Sequence, residues 1–185
     1  VRLRIDQHSD LTSLANYWGG TQQAGPVKAK LKKTLGKQSE AYISLASLMP
    51  PLPHSMLNTF PPIPSDTSKP QPDCYWTVFN FFASKPDNRF YDSNFMEAAL
   101  AEVHEPVPGK PSYGDILFLV DSSGRPFHSA VYLADDFVFT KNGGHFTQPW
   151  VIMKLADMKA CYPQARPVRE AYYRWNPLKS RPPST

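Results

Sequence analysis

The chain has 185 residues, 41% of them hydrophobic and 13% aromatic, which is enough for one sizeable core and not clearly for two. Its formal net charge of +4 permits an anionic partner without demanding one, and no stretch has the interleaved basic and aromatic residues of a specific nucleic-acid binder. No apolar run is long enough to cross a bilayer, so no transmembrane segment is predicted.

Val1 to Ile5 alternates apolar and basic residues and predicts a short strand. The stretch from Asp10 to Trp18 runs up to a break at Gly19-Gly20. Between Val27 and Leu48 the apolar positions Val27, Leu31, Leu35, Ile43, Leu45 and Leu48 predict one or two helices, interrupted at Gly36. Lys28, Lys30, Lys32, Lys33 and Lys37 lie on this segment and read as a solvated helix face rather than as a dock for wall polymers, nucleic acid or lipid headgroups. Eight prolines then fall between Pro50 and Pro72, which excludes helix and central strand. Met49, Leu52, Met56, Leu57, Phe60 and Ile63 are interleaved with them, too apolar for a free linker, so this stretch is expected to lie as an ordered band on the rest of the protein. Residues 1–70 are thus an N-terminal extension, and 71–185 are the main domain.

The chemistry-bearing pattern begins at residue 73, with Asp-Cys-Tyr-Trp-Thr-Val-Phe-Asn-Phe-Phe. Asp73 is a strong helix N-cap, which sets Cys74 in the first turn, where free N–H groups and the helix dipole favour thiolate over thiol. Val78, Phe81 and Phe82 carry the burial of this helix. Gly114 and Asp115 start an apolar strand, Ile116-Leu117-Phe118, with Asp115 read as a strand-start residue rather than a second catalytic carboxylate. The stretch from His128 to Gly143 reads as a hairpin whose first strand opens with His128. A helix cysteine followed by a strand histidine is the material of a nucleophile and base. The imidazole then needs a polar residue on the return strand to fix its tautomer. Thr140 faces His128 if the turn centres on Ala134, and Asn142 faces it if the turn centres on Asp135. Both share the parity of His128, which Lys141 does not. Asn142 is the preferred orienter, because an amide oxygen is the better acceptor for an imidazole N–H.

His8, His54, His104 and His145 have no metal-ligand spacing, the two cysteines are too far apart for a zinc knuckle, and no Gly-rich phosphate loop occurs. No metal and no cofactor are predicted. If Cys74 is a nucleophile, Cys161 is left without a disulfide partner. After Cys161-Tyr162 the tail is broken by Pro163, Pro167, Pro177, Pro182 and Pro183, with Tyr172, Tyr173 and Trp175 marking a short docked strand.

Taken in order, the Asp73-Cys74 helix start, the Gly114-Asp115-Ile116-Leu117-Phe118 strand and the His128-Ser129-Ala130-Val131-Tyr132-Leu133 strand resemble the three signatures of the NlpC-type, papain-like cysteine peptidases. That family shows an Asp-Cys-Ser-Gly helix, a Gly-Asp-Leu-Val-Phe-Phe strand and a His-Val-Gly-Ile-Tyr strand. The resemblance covers roughly residues 70–162. It implies an α+β fold in which an antiparallel sheet packs on the helix bearing Cys74. The activity it implies is amide cleavage in cell-wall peptides by Cys74 as nucleophile, His128 as general base and acid, and a third residue for which the family spacing favours Thr140. The backbone N–H of Cys74 would be one oxyanion donor, with the second not identified. Where the family has small residues after the cysteine, this chain has Tyr75 and Trp76, which either narrow the cleft or turn into the core; by analogy Asp73, Tyr75 and Trp76 are the candidate substrate-binding residues. A peptide or peptidoglycan-like substrate implies a periplasmic or extracellular location, and a chain that starts at Val1 rather than Met is expected to be a processed product. Two other readings remain. A transglutaminase-like acyl transferase would need an aspartate in the third place, and none stands at Thr140, Lys141 or Asn142. The second is a non-catalytic binding module on the same fold.

Overall fold

The computed structural model describes residues 1–66, 68–163 and 168–176 and divides into two compact units, Val1–His54 and Ser55–Thr185. Within the first unit, β1 (Arg2–Asp6) pairs antiparallel with β2 (Glu40–Ser44), placing Leu3 opposite Ile43 and Ile5 opposite Ala41. Ile5, Ala41 and Ile43 are buried, as are Ala15, Trp18 and Leu31 of the long helix between the two strands, α1 (Leu11–Leu35). Asp10 caps α1 by accepting from the N–H groups of Thr12 and Ser13, at 2.9 and 3.1 Å. Gly20, at φ 53°, kinks the helix where the Gly19-Gly20 break was expected, and Gly36, at φ 56°, ends it. The sequence reading overextends helix here. Residues 40–44 are strand, because Ala41 and Ile43 alternate with exposed Glu40, Tyr42 and Ser44 and have β1 to pair with.

The second unit is built on a six-stranded sheet of order β3-β8-β4-β5-β6-β7, every neighbouring pair antiparallel. The strands are β3 (His104–Pro106), β4 (Ile116–Val120), β5 (Pro126–Ala134), β6 (Phe137–Lys141), β7 (Trp150–Lys154) and β8 (Arg169–Trp175). This is an α+β architecture with an antiparallel sheet. All five residues of β4 are buried, which requires cover on both faces. On one face lies α3 (Cys74–Phe79), where Tyr75 stacks on Phe118 and, just beyond the helix, Phe81 meets Phe139. On the other face lies α5 (Leu155–Ala160), whose Met158 is in the fully buried cluster with Leu117, Leu119, Ala130 and Val138. A short helix, α2 (Pro51–Met56), forms inside the proline-rich stretch that was expected to exclude helix, because Pro51 and Pro53 fall in its first turn, where a backbone N–H has no intrahelical partner to lose, and α4 (Ser93–Val103) precedes β3.

Several local features follow from single residues. Phe82, expected to be buried, is 61% exposed. It lies across Gly114, where φ is 89° and an added Cβ would come within 2.5 Å of the Phe82 ring. Asp115 is buried at the head of β4, where Arg174 of β8 holds it with two bonds of 2.8 and 2.7 Å. The turn between β5 and β6 contains Asp135 at φ 52°. Part of the proline-rich stretch is pinned beside β7: Asn58 N–H donates to the Trp150 carbonyl at 2.8 Å and Trp150 N–H to the Thr59 carbonyl at 3.2 Å. Met56 and Pro61 are buried, whereas Phe60 and Ile63, expected to be covered, are 58% and 80% exposed. Among the described residues no helix is long and apolar enough to cross a membrane.

Candidate active site

Asp73 works as the sequence suggests. Its carboxylate accepts from Trp76 N–H at 2.8 Å, and its backbone carbonyl accepts from the Thr77 hydroxyl at 2.6 Å, so the first turn of α3 is closed around it. Thr77 in turn accepts from the Trp150 indole at 2.9 Å and ties the helix to β7. Cys74 is therefore fixed, and it is buried. Its thiol is pushed up to about 11, by burial first and by the Asp73 carboxylate second. This reverses the expectation of an ionised thiol. The helix is only six residues long, and the fields of its N–H groups do not offset removal from water next to a carboxylate. The amide and hydroxyl of Ser129 act in the opposite, thiolate-favouring direction, although the Ser129 hydroxyl, fully buried, makes no well-formed hydrogen bond.

Ser129 and His128 are neighbours on β5, and a strand sends successive side chains to opposite faces. Ser129, opposite Phe118, belongs to the α3 face with Cys74. His128, opposite Leu119, belongs to the α5 face. There its ring nitrogens are both engaged: Nε2 with the Thr140 hydroxyl at 3.0 Å and Nδ1 with the Tyr162 hydroxyl at 2.9 Å. Proton counting fixes the arrangement. Thr140 spends its one hydroxyl proton on the Ser129 carbonyl, at 2.9 Å, so it accepts from His128, which makes Nε2 the protonated nitrogen. Nδ1 then carries the lone pair and accepts from Tyr162. Burial holds the imidazole down to about 4, so it is neutral at neutral pH. Among the described residues no hydrogen bond joins the Cys74 thiol to His128, where the sequence reading expects direct contact.

Thr140, not Asn142, orients the imidazole. The register is the one centred on Asp135, with Val131 opposite Phe139, and continued by three residues it would set Asn142 across from His128. But β6 ends at Lys141, and the chain leaves the sheet through Asn142-Gly143-Gly144. The Asn142 amide turns to Met153 Sδ at 3.2 Å and Cys161 Sγ at 4.0 Å, and Thr140 reaches His128 diagonally. The Asn142 Oδ1 is buried without a hydrogen bond.

The candidate substrate-binding residues divide. Trp76 is buried, its indole donating to Asn88 Oδ1 at 3.2 Å and its ring stacked on Tyr91, so of the two alternatives it turned into the core. Tyr75 is partly buried on Phe118, and burial first, then the neighbouring Cys74, Asp73 and Tyr162, raises its phenol above the usual range. Burial likewise raises the Asp73 carboxyl, against the pull of the Trp76 and Tyr75 N–H groups and the Lys141 ammonium.

Two residues near the site were not singled out from sequence. Lys141, on the α3 face, is fully buried and its ammonium donates to the carbonyls of Gly143 and His145 at 2.6 and 2.8 Å, clamping the loop that passes beside Asp73. Burial lowers its pKa, while Asp73 and Cys74 raise it. Tyr162 arrives from beyond α5; an aromatic residue before Pro163 is the only local signal, and nothing in the sequence ties it to His128. Cys74 and Cys161 are free thiols. Among the described residues no group of His, Cys, Asp and Glu is arranged to hold a metal ion. No family model matches the chain, and no curated protein sequence matches it.

Proposed function

We propose that the second unit has the NlpC-type, papain-like fold and is a cysteine hydrolase acting on an amide bond, with peptides of the peptidoglycan class as substrate. The observation that carries this reading is the tautomer of His128. Thr140 takes the Nε2 proton and leaves Nδ1 as a bare base, on the residue that adjoins the one whose amide and hydroxyl act on the Cys74 thiol. In the reaction Cys74 Sγ attacks the amide carbonyl carbon and its proton passes to Nδ1, which requires β5 to shift on substrate binding so that the imidazole reaches the α3 face. The C–N bond then breaks as that proton is given to the leaving amine, and water hydrolyses the thioester. Thr140 fills the orienting role. A wall-peptide substrate places the work in the periplasm or outside the cell.

The test is digestion of purified peptidoglycan and its soluble peptide fragments, followed by mass spectrometry for new amine and carboxylate ends. The wild type should release such products, whereas Cys74→Ala and His128→Gln should not. Absence of cleavage by the wild type, or cleavage undiminished in Cys74→Ala, would refute the reading.

A binding module on the same fold is the second reading. It is favoured by a thiol held protonated and an imidazole whose nitrogens are both occupied.

A further inference from the structure

Ser129 and Lys141 bring two unused hydrogen-bond donors to the sheet face that carries Cys74. Ser129 lies opposite Phe118 of β4, and Phe118 stacks on Tyr75, the chain neighbour of Cys74. Continued by two residues from Val131 and Phe139, the register of β5 and β6 sets Lys141 across from Ser129 on that same face. Lys141 pairs on its other side with Trp150 of β7, whose indole is bonded to Thr77, so this part of the sheet is tied to the helix that carries the thiol. Both side chains are fully buried, yet neither is satisfied. The Ser129 hydroxyl has no hydrogen-bond partner. Lys141 gives two of its three protons to the carbonyls of Gly143 and His145, and among the described residues no carboxylate forms an ion pair with it. A buried donor without an acceptor is unfavourable, and a buried ammonium without a counter-ion more so. A negative charge on Cys74 answers both.

We propose that the Ser129 hydroxyl donates to the Cys74 thiolate, as a catalytic residue, and that the Lys141 ammonium is the counter-charge of that thiolate. The step is an ionisation with no redox change. In the resting protein the S–H bond breaks, the proton goes to water, and the electron pair stays on sulfur, where the Ser129 O–H bonds to it. This rests on Cys74 being the nucleophile, and it holds for the resting register, in which Ser129 rather than His128 faces the thiol. Burial and the Asp73 carboxylate keep most of the thiol protonated, and Ser129 works against them. The charged and titratable groups facing the thiol are Asp73 and Tyr75 from α3 and its cap, Lys141 from β6 and Tyr162 from beyond α5, while β4 is wholly apolar.

The experiment is the rate of Cys74 alkylation by iodoacetamide as a function of pH, read by peptide mass mapping with Cys161 as internal reference. It compares wild type, Ser129→Ala, Lys141→Met and His128→Gln. If losing either group raises the thiol by one unit, the thiolate fraction falls about tenfold and the greater nucleophilicity of the thiolate that remains restores about threefold, so both variants should label about threefold more slowly below the wild-type midpoint. His128→Gln should label at the wild-type rate. Ser129→Ala strands no partner, so its stability in urea should match the wild type, and any loosening of the fold would expose the buried thiol and speed labelling rather than slow it. Ser129→Ala labelling as fast as the wild type, or faster, overturns the proposal whether or not Lys141→Met folds. So does a slowing in His128→Gln as large as that in Ser129→Ala. Lys141→Met that keeps the wild-type circular dichroism and labels no slower overturns the counter-charge. The hydrolase reading is decided separately, by wild-type cleavage of peptidoglycan: cleavage alongside unslowed labelling of Ser129→Ala removes this inference alone.

Discussion

Lowering the pH should cost the protein stability through His128 in a defined window. The imidazole is 1% exposed and its pKa falls from 6.5 to about 4 on folding, so the unfolded chain binds this proton more readily than the native state. A group depressed in this way contributes stability that is fully present above 6.5 and is lost as the pH falls toward 4. The shift corresponds to about 3 kcal/mol at ~1.36 kcal/mol per unit. The structural cause is burial, which removes the imidazolium charge from water, and no carboxylate is bonded to the ring to offset it. The assay is urea unfolding at a series of pH values for the wild type and His128→Gln, with stability obtained by linear extrapolation. Carboxylates such as Asp6, Asp10, Asp87 and Asp121 titrate in both proteins and cancel in the difference. The difference should shrink by about 3 kcal/mol as pH falls through the window. Parallel pH curves would show that His128 is not buried neutral, and the tautomer argument would go with it.

Thr140→Val should destabilise by about 2–3 kcal/mol in urea unfolding, since it strands a buried Nε2–H and the Ser129 carbonyl, and Thr140→Ser should recover most of that loss. Arg174→Gln should cost about 3 kcal/mol by the same measurement, at the low end for breaking a buried ion pair because Arg174 is 46% exposed, and Asp115→Asn together with Arg174→Gln should cost less than the single change.

The legible parts of the site were those set by local chemistry. The Asp73 cap, the hairpin of β5 and β6, whose first strand starts at Pro126 rather than at His128, and the strand starting after Asp115 all depend on residues within a few positions of one another, and period and capping suffice for them. The Thr140 and Asn142 alternatives show where that stops. Parity correctly put both on the face of His128 and excluded Lys141, and the turn centred on Asp135 agrees with the register behind the Asn142 preference. What parity cannot supply is the end of β6 after Lys141, which swings Asn142 away. The same alternation, applied to Ser129 and His128 against the helix face, would have set the imidazole opposite Cys74. Tyr162 is held to His128 across 34 positions by packing alone, beyond any local pattern. Residues 40–44 misread as helix because Ile43, Leu45 and Leu48 fit either period over so short a run. The apolar run Trp150-Val151-Ile152-Met153 after Pro149 carries the strand signal of β7.

The position of β8 bears on how the protein is made. It is the last of the described strands in the chain, yet it lies between β3 and β4 and pairs with both. While the chain emerges from the ribosome, β4 to β7 can assemble as a meander from near neighbours, but one flank of β4 stays open until residue 175 has been synthesised. That flank is the Ile116–Val120 run, five apolar residues with free backbone donors and acceptors, the type of edge that recruits other chains. Nascent or truncated chains lacking Arg169–Trp175 would expose it, so β8 is the strand that closes this edge against other chains.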